Sequence, residues 1–299
     1  MTKTVIKVSQ LTKNFKDKKV LKNLSFEVNE GDCMALIGPN GAGKTVLMSC
    51  LLGDYHPTAG QIEVLGKSAH DSQLKGKVSI LFQENLTEQK LKVSELLQFQ
   101  QSIYDHPLSD TAIDRLLGFT AEQKNQFAEK LSGGQRRLLA FVQVIIGQPD
   151  IIFLDEPTAG MDTSTRKRFW EIVNELKAAG KTIIYSSHYI EEVEHTADRI
   201  LVLHDGKLLR DTTPYLMRAE EKEKVFTLPL AYLENIEDQS IYNLSVKSDR
   251  ITFTTKEVQA IWQILEDAGC PIEDIEMANR TLLDSIFENE REEKAHENL

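Results

Sequence analysis

Cysteine is scarce in this sequence, which has only Cys33, Cys50 and Cys270 among its 299 residues. Because they are odd in number and far apart, they suggest neither a disulfide framework nor a zinc site. Each is expected to be a small core residue in a protein of a reducing compartment. Long apolar runs are also missing, and no stretch of about 18 apolar residues predicts a membrane span. The opening stretch MTKTVIKVSQ lacks the apolar centre of a secretory signal.

Basic residues are outnumbered, since 35 Lys and Arg stand against 46 Asp and Glu, and the formal net charge is −11. This acidic balance disfavours broad contact with the phosphates of nucleic acid, so no nucleic-acid partner is expected. The composition, 41% hydrophobic and 27% charged, is that of an ordinary globular protein. The length allows one large domain and a small one.

Apolar runs with strand character alternate with helix-like segments, which predicts an α/β fold with a largely parallel sheet. These runs read TVIKVS, LSFEV, CMALIG, KVSILF, IIFLDE, TIIYSSH and RILVLHDG. Residues 84–148 lack strand signals and show helical periodicity, so they are predicted to form a helical insertion. A charged run at 218–224 predicts a solvated helix end or linker. It separates a domain of residues 1–220 from a small α+β extension at 221–299.

The extension contains two strand-like segments, VFTLPL and ITFTT, and two stretches with apolar residues at helical spacing. The first stretch has Val258, Ile261, Trp262 and Leu265, and the second has Leu282, Leu283, Ile286 and Phe287. An acidic tail that is expected to fray follows from Glu288.

A glycine-rich segment, GPNGAGKT, fits the pattern G-x-x-x-x-G-K-[ST] between an apolar strand and a helix. Its glycines permit backbone turns that aim N–H groups at phosphate oxygens, and the helix N-terminus adds its dipole. Lys44 is expected to reach the β- and γ-phosphates, and the Thr45 hydroxyl to ligate Mg²⁺. The predicted nucleotide-binding residues are Gly38, Pro39, Asn40, Gly41, Ala42, Gly43, Lys44 and Thr45.

Polar side chains follow three of the predicted strands. Asp155 ends the strand IIFL and is expected to hold Mg²⁺ through water, and Glu156 is expected to polarise the attacking water. Gln83 follows KVSILF and is positioned to contact both the metal and this water. His188 follows TIIYSS and is positioned to hydrogen-bond the γ-phosphate. A lone Gln or His at a strand end is also compatible with a structural role, and spacing alone does not decide.

Together with LSGGQ at residues 131–135, these segments resemble the nucleotide-binding subunit of ABC transporters. GPNGAGKT matches the Walker A loop, IIFLDE the Walker B strand, LSGGQ the signature and AGMD the D-loop. Gln83 stands at the Q-loop and His188 at the switch histidine. The motifs occur in the family's order from residue 3 to about residue 215. The resemblance implies a P-loop ATPase domain with a mainly parallel sheet, an N-terminal antiparallel β part and an inserted helical subdomain.

The resemblance gives LSGGQ a role in a second copy of the domain. Two subunits would pack head to tail, as a homo- or heterodimer, so that the signature faces the partner's γ-phosphate. The residues implied are Ser132, Gly133, Gly134 and Gln135. The glycines open a helix start that we expect to be bare and free of side-chain bulk, which suits an anion.

Three further residues take their interpretation from the family. Phe15 would stack on adenine where many relatives carry Tyr, although a core role remains an alternative. Asp162 in AGMD would link the two sites across the dimer. Thr163 stands where proline is common, which puts the rigidity of that loop in doubt. Glu156 and His188 are both retained, so the site is not expected to be degenerate.

Because no membrane segment is predicted, the resemblance implies a separate transmembrane permease. The protein would then be cytoplasmic and peripheral on the inner face of the membrane. The permease would dock between the insertion and the Q-loop, on a surface drawn from Leu86, Leu91, Val93 and Leu97, some of which must be core.

The layout of one ATPase domain followed by a small extension looks similar to ABC-2-type exporters of drugs, peptide antibiotics, lipids, polysaccharide or sodium. An importer ATPase remains an alternative that only the membrane partner separates. A soluble ABC ATPase of translation or DNA repair, or a nucleotide-gated module without turnover, is a further alternative. The second cassette, coiled coils and zinc modules of such soluble proteins are not seen in this sequence.

Overall fold

The computed structural model describes residues 3–83, 90–220, 223–237 and 239–279. Contacts divide the chain into two compact units, Met1–Thr213 and Pro214–Leu299. The boundary predicted at residue 220 therefore falls at the end of a helix, Pro214–Glu220, that the contacts group with the second unit. The positions Leu86, Leu282, Leu283, Ile286 and Phe287 and the acidic tail from Glu288 lie outside the described residues.

The first unit contains ten strands and seven helices among its described residues. The strands are β1 (Thr4–Phe15), β2 (Lys18–Asn29), β3 (Cys33–Ile37), β4 (Ala59–Val64), β5 (Lys67–Ser68), β6 (Val78–Leu81), β7 (Ile151–Leu154), β8 (Thr182–Ser187), β9 (Arg199–His204) and β10 (Lys207–Thr212). The helices are α1 (Lys44–Leu51), α2 (Val93–Ser102), α3 (Asp110–Leu117), α4 (Ala121–Asn125), α5 (Gly133–Ile145), α6 (Thr163–Ala178) and α7 (Ile190–Thr196).

A six-stranded sheet with the order β10-β9-β3-β8-β7-β6 forms the centre of this unit. All of its neighbouring pairs are parallel except β9 and β10. Strands β3, β7 and β8 are buried at every position, as expected for parallel strands covered on both faces. The largely parallel α/β sheet is confirmed. Because parallel strands end at one edge, the polar residues that follow β3, β6, β7 and β8 lie at that edge.

The N-terminal antiparallel part is a second sheet, with the order β2-β1-β4-β5. Strand β1 pairs antiparallel with both β2 and β4. Side chains on its inner face, such as Ile6, Val8 and Leu11, are buried in the same core cluster as Leu36 and Leu47. The alternation of buried and exposed residues along β2 fits a sheet with one face in the core.

The helical insertion is confirmed by α2, α3, α4 and α5, and its described part, residues 90–148, has no strand beyond an isolated bridge. The structure separates the surface candidates that the sequence left mixed. Val93 and Leu97 are buried and belong to the core of the insertion, whereas Leu91 is exposed. Val93 and Leu97 are therefore the core members of that set and are excluded as docking residues, since both pack inward from α2.

The second unit is a small α+β domain, as predicted. Its elements are α8 (Pro214–Glu220), β11 (Lys224–Pro229), α9 (Leu233–Ile236), β12 (Ile241–Lys247), β13 (Arg250–Thr255), α10 (Val258–Asp267) and β14 (Glu276–Asn279). The sheet is antiparallel, with the order β12-β13-β11-β14. Ile261 and Leu265 of α10 pack onto Phe226 and Phe253 of the sheet, while Trp262 lies partly in solvent. Among the described helices of the chain, none combines the length and apolar character that a bilayer crossing requires.

Two of the three cysteines are buried as expected, but Cys270 is partly exposed and is not a core residue. Burial raises the pKa of Cys33 to about 12 and that of Cys50 to about 11. Since the thiolate is the reactive form, we expect a disulfide reagent to modify only Cys270 rapidly in the native protein. Its own pKa is also raised, by partial burial and by Asp274, so the reaction should be slower than with a free thiol.

The number of reactive thiols is measured from the chromophore that the disulfide reagent releases, before and after unfolding. One thiol should react in the native protein and all three cysteines after unfolding. A Cys270→Ser variant is the control and should lose the rapid reaction. Rapid modification of Cys33 or Cys50 in the native protein would contradict their burial.

Candidate functional site

The glycine-rich loop connects β3 to α1 at the edge of the central sheet. A Cβ on Gly38 would lie 2.0 Å from the carbonyl oxygen of Leu203, so only glycine fits there. Gly43 caps α1 in the left-handed region, with φ 104°, and no side chain caps this helix. The first N–H groups of α1 therefore point into the loop without a side-chain acceptor, which makes the loop a cradle for an anion.

Lys44 is almost fully buried, with 7% of its surface exposed. Its ammonium group donates to the carbonyl oxygens of Gly38, at 2.6 Å, and Pro39, at 3.1 Å. The charge is thus held inside the loop, beside the N–H groups of α1. A cation at that position matches the negative charge of the terminal phosphates of a nucleotide.

A hydroxyl–carboxylate pair lies next to the loop. The Thr45 hydroxyl donates to Asp155 Oδ2 at 3.2 Å, and Ser186 donates to Asp155 Oδ1 at 2.5 Å. These hard oxygen donors suit Mg²⁺, which in such sites is bound by one or two protein groups together with phosphate and water. No cluster of three or more His, Cys, Asp or Glu that could cage a metal occurs in the described part of the chain. Sequence reasoning did not identify Ser186.

Gln83, Glu156 and His188 come together although they are far apart in sequence. Gln83 Nε2 donates to Glu156 Oε2 at 3.4 Å, and His188 Nδ1 lies 3.3 Å from Glu156 Oε1. Glu156 has φ 43°, in the left-handed region. Such a conformation costs a non-glycine residue about 1–3 kcal/mol and persists only when neighbouring contacts enforce it. One such contact is the hydrogen bond from the Glu156 N–H to the Ser186 hydroxyl, at 2.9 Å.

Arg137 is a second residue that sequence reasoning missed. It lies in α5, just after LSGGQ, and only 8% of its surface is exposed. Its guanidinium donates to the carbonyl oxygens of Asp155, at 2.9 Å, and Glu156, at 3.2 Å. Burial lowers the pKa of Arg137 to about 10, partly offset by the charges of Asp155 and Glu156. The signal in the sequence is its position within the apolar run of α5, where a charged side chain needs buried partners.

The start of α5 is not bare, contrary to the expectation from its glycines. The Ser132 hydroxyl accepts the Gln135 N–H at 3.2 Å, and the Gln135 side chain accepts the Ser132 N–H at 3.0 Å. This reciprocal pair is a capping box, for which Ser followed three residues later by Gln is the usual signature. The N–H groups of Gly133 and Gly134 are the first two of the helix and have no intrahelical acceptor. They are the part of the LSGGQ segment suited to an anion.

The D-loop residue Asp162 caps α6. Its carboxylate accepts hydrogen bonds from Ser164 and Thr165, from the N–H and the hydroxyl of each residue. These bonds hold the pKa of Asp162 far below its usual range, because they stabilise the ionised form. A Cβ on Gly134 would lie 3.1 Å from Asp162 Oδ2, so the start of α5 rests on this cap.

Phe15 lies at the end of β1 and is 38% exposed. Its ring meets the edge of Tyr55, with centroids 5.2 Å apart, and Lys13 Nζ lies 4.9 Å from the Phe15 centroid. The exposed ring does not belong to the core clusters of the first unit. A stack on adenine therefore stays the interpretation for Phe15.

Three features meet at the carboxyl edge of the parallel sheet. They are a glycine-rich loop that holds a buried lysine, a hydroxyl–aspartate pair, and a glutamate. That combination defines a P-loop nucleoside triphosphatase.

Comparison with known proteins identifies the family. The profile described as "ABC transporter" matches residues 21–159. The Nod factor export ATP-binding protein I of a Rhizobium species is 36% identical over 227 residues, which are 74% of this chain and 74% of that protein. The protein of the same name from Burkholderia lata is 36% identical over 70% of this chain and 71% of its own length. A solved ATP-binding subunit of an ABC transporter matches with a TM-score of 0.64 and 26% identity, over 72% of this chain and 92% of that one. The chain belongs to the ATP-binding proteins of ABC transporters, and it hydrolyses ATP to drive transport.

Proposed function

We propose that this chain is the ATPase subunit of an ABC exporter and works in a head-to-tail dimer on a separate membrane permease. The observation that carries the ATPase part is the contact of Gln83 and His188 with the Glu156 carboxylate. The pair of Thr45 and Asp155 lies beside them. Export is supported by the relatives, which are named for the export of Nod factor.

Each residue has a defined task in this proposal. Lys44 and the N–H groups of α1 bind the phosphates, and Glu156 orients the attacking water. Gln83 and His188 hold the Glu156 carboxylate from either side. Thr45 and Asp155 would hold Mg²⁺. When bound, the metal neutralises charge on the β- and γ-phosphates.

The start of α5 supplies the second half of each site in the dimer. The N–H groups of Gly133 and Gly134 would face the γ-phosphate bound by the partner, which is either a second copy or a different ATP-binding subunit. Asp162, fixed at the cap of α6 beside Gly134, would lie at the same contact. A long cationic side chain at Ser132 would occupy the space of the phosphate and remove the capping hydroxyl.

We expect Ser132→Arg to abolish Mg·ATP-dependent dimerisation and turnover, while ATP affinity of the dilute monomer stays within a few-fold. Light scattering after size exclusion, with a slowly hydrolysed ATP analogue, measures the dimer. Ser109→Arg is the matched control, since the Ser109 hydroxyl likewise accepts the N–H three residues later, that of Ala112, at the exposed start of α3. Loss of monomer affinity in Ser132→Arg, or equal loss of dimer in Ser109→Arg, would count against a shared site.

Exposed apolar side chains at the described ends of the Q-loop and on the helical insertion support docking of a permease there. They are Phe82, Leu91, Phe99, Ile103 and Phe127. Leu91 and Phe127 belong to neighbouring backbone segments, because the Ala128 N–H donates to the Leu91 carbonyl at 3.0 Å. The protein would then be cytoplasmic and peripheral on the inner face of the membrane. The neighbouring reading frame distinguishes export from import: a six-span membrane protein without an external binding protein supports export.

A further inference from the structure

Arg137 makes an unusual set of contacts for a charged residue. It is buried in α5, and each of the five N–H donors of its guanidinium has a backbone carbonyl oxygen as acceptor. The acceptors belong to Pro157 (2.9 Å, from Nε), Phe82 and Gln83 (the latter at 3.0 Å, both from Nη1), and Asp155 (2.9 Å) and Glu156 (3.2 Å, both from Nη2).

These five acceptors lie on two loops. One loop follows β6 and contains Phe82 and Gln83, where the Q-loop begins. The other follows β7 and contains Asp155 and Glu156. Guanidinium presents five donors in a rigid planar fork, whereas lysine has three donors around a single point. A single arginine can therefore fix the spacing between the two loops, and no other side chain has donors enough to do so.

The same helix carries the segment that faces the partner in the proposed dimer. Gly133 and Arg137 are four residues apart, so they lie on one face of α5, one turn from each other. Gly134 rests on the cap of α6 and leaves little room for the helix start to move alone. Helical hydrogen bonds make α5 stiff over this single turn. A displacement of its start is therefore passed to the guanidinium and to the loops it holds.

We infer that Arg137 is a positioning residue that ties the start of α5 to Glu156 and Gln83 of its own chain. Through it, the nucleotide held by the partner subunit controls the placement of the hydrolytic residues in this subunit. The inference rests on the proposed head-to-tail dimer. It places the effect of Arg137 in cis, on Glu156 of the same chain. The partner's nucleotide site, which the signature of this chain completes, is not the one affected.

Arg137→Gln tests the first part of the inference. The phosphate loop is untouched, so the affinity and KM for Mg·ATP should stay within a few-fold. The kcat should fall about 100-fold, because a displacement of about 1 Å in a catalytic group has that effect. Arg137→Lys should not restore kcat, since its donors cannot reach both loops. Arg136→Gln is the matched control: this neighbouring arginine donates to the Glu129 and Leu131 carbonyls instead and should be close to wild type.

A pair of mixed dimers, built from two differently tagged copies, decides between cis and trans action. In the first dimer, Arg137→Gln and Glu156→Gln share one copy and the other copy is wild type. In the second dimer, each copy carries one of the two substitutions. Both are compared with a dimer that carries Glu156→Gln alone in one copy.

The inference predicts that the first dimer keeps the turnover of the reference, because its intact Glu156 has an intact Arg137. Turnover of the second dimer should fall about 100-fold, since the copy that holds its only intact Glu156 lacks Arg137. The opposite ranking, or equal turnover in both dimers, would overturn the inference. A general folding defect would lower both dimers equally and would also lower the melting temperature.

Failure of the proposed function gives a different result. If neither a second copy nor a different ATP-binding subunit associates with the intact chain in Mg·ATP, the head-to-tail dimer itself is wrong. If only a different subunit serves as partner, Arg137→Gln is measured in that complex, and an unchanged kcat there overturns the inference.

Discussion

Replacing Glu156 with glutamine is expected to lower ATP turnover by about 100- to 10,000-fold, the range that a positioned general base contributes. The amide keeps the size of the carboxylate and can still accept a hydrogen bond from Gln83. It cannot take a proton from water or orient it as a carboxylate does. ATP affinity should stay within a few-fold, because none of the phosphate-binding groups is altered.

Steady-state phosphate release measures the turnover, and calorimetry measures ATP binding in the same preparation. The variant should also accumulate as an ATP-bound dimer, since the step that reopens it is blocked. Glu122→Gln, an exposed carboxylate on α4, is the control for loss of one charge. Turnover near that of wild type in Glu156→Gln would reject the role assigned to this residue.

Replacing Lys44 with alanine should weaken Mg·ATP binding by about 10- to 100-fold. Each charge-assisted hydrogen bond to a phosphate is worth about 1.5–3 kcal/mol, and about 1.4 kcal/mol is tenfold in affinity. The buried ammonium also holds the Gly38 and Pro39 carbonyls, so the loop itself should loosen. Turnover should fall with the affinity, because the γ-phosphate is no longer fixed.

The affinities for ATP, ADP and AMP separate these two effects. Loss of the direct contact should reduce binding of ATP and ADP but leave AMP binding nearly unchanged, because Lys44 is expected to contact only the β- and γ-phosphates. A collapsed loop would weaken the binding of all three nucleotides to a similar extent. Lys124→Ala, which removes an ion pair with Asp114 in the insertion, controls for the loss of a lysine. Unchanged Mg·ATP affinity in Lys44→Ala would overturn the assignment.

The parallel strands could be predicted because they read as short, continuous apolar runs, and β3, β7 and β8 are buried at every position. Strands β4, β5, β10, β12 and β14 were not predicted. Their residues are largely exposed, as along β14, where every position is open to solvent. Four of them, β5, β10, β12 and β14, lie at sheet edges, where pairing with a neighbour defines the strand more than its own composition does.

The candidate site divides in the same way. Lys44, Thr45, Asp155 and Glu156 were predicted because each belongs to a short motif whose neighbours set its conformation. Ser186 was not, since it reaches Asp155 across 31 positions of the chain. Arg137 bridges 55 positions to Phe82. A pattern confined to a few residues carries no information about a partner so distant.

Local sequence patterns were sufficient to predict the phosphate loop, the acidic pair after β7, the signature segment and, through them, the family. These features are local, and their backbone turns follow from residues within a few positions of one another. The tertiary structure was needed to show that Val93 and Leu97 are core and that Arg137 is buried against two loops. Burial and the partners of a charged group depend on which distant segments pack together, and that is a property of the assembled fold.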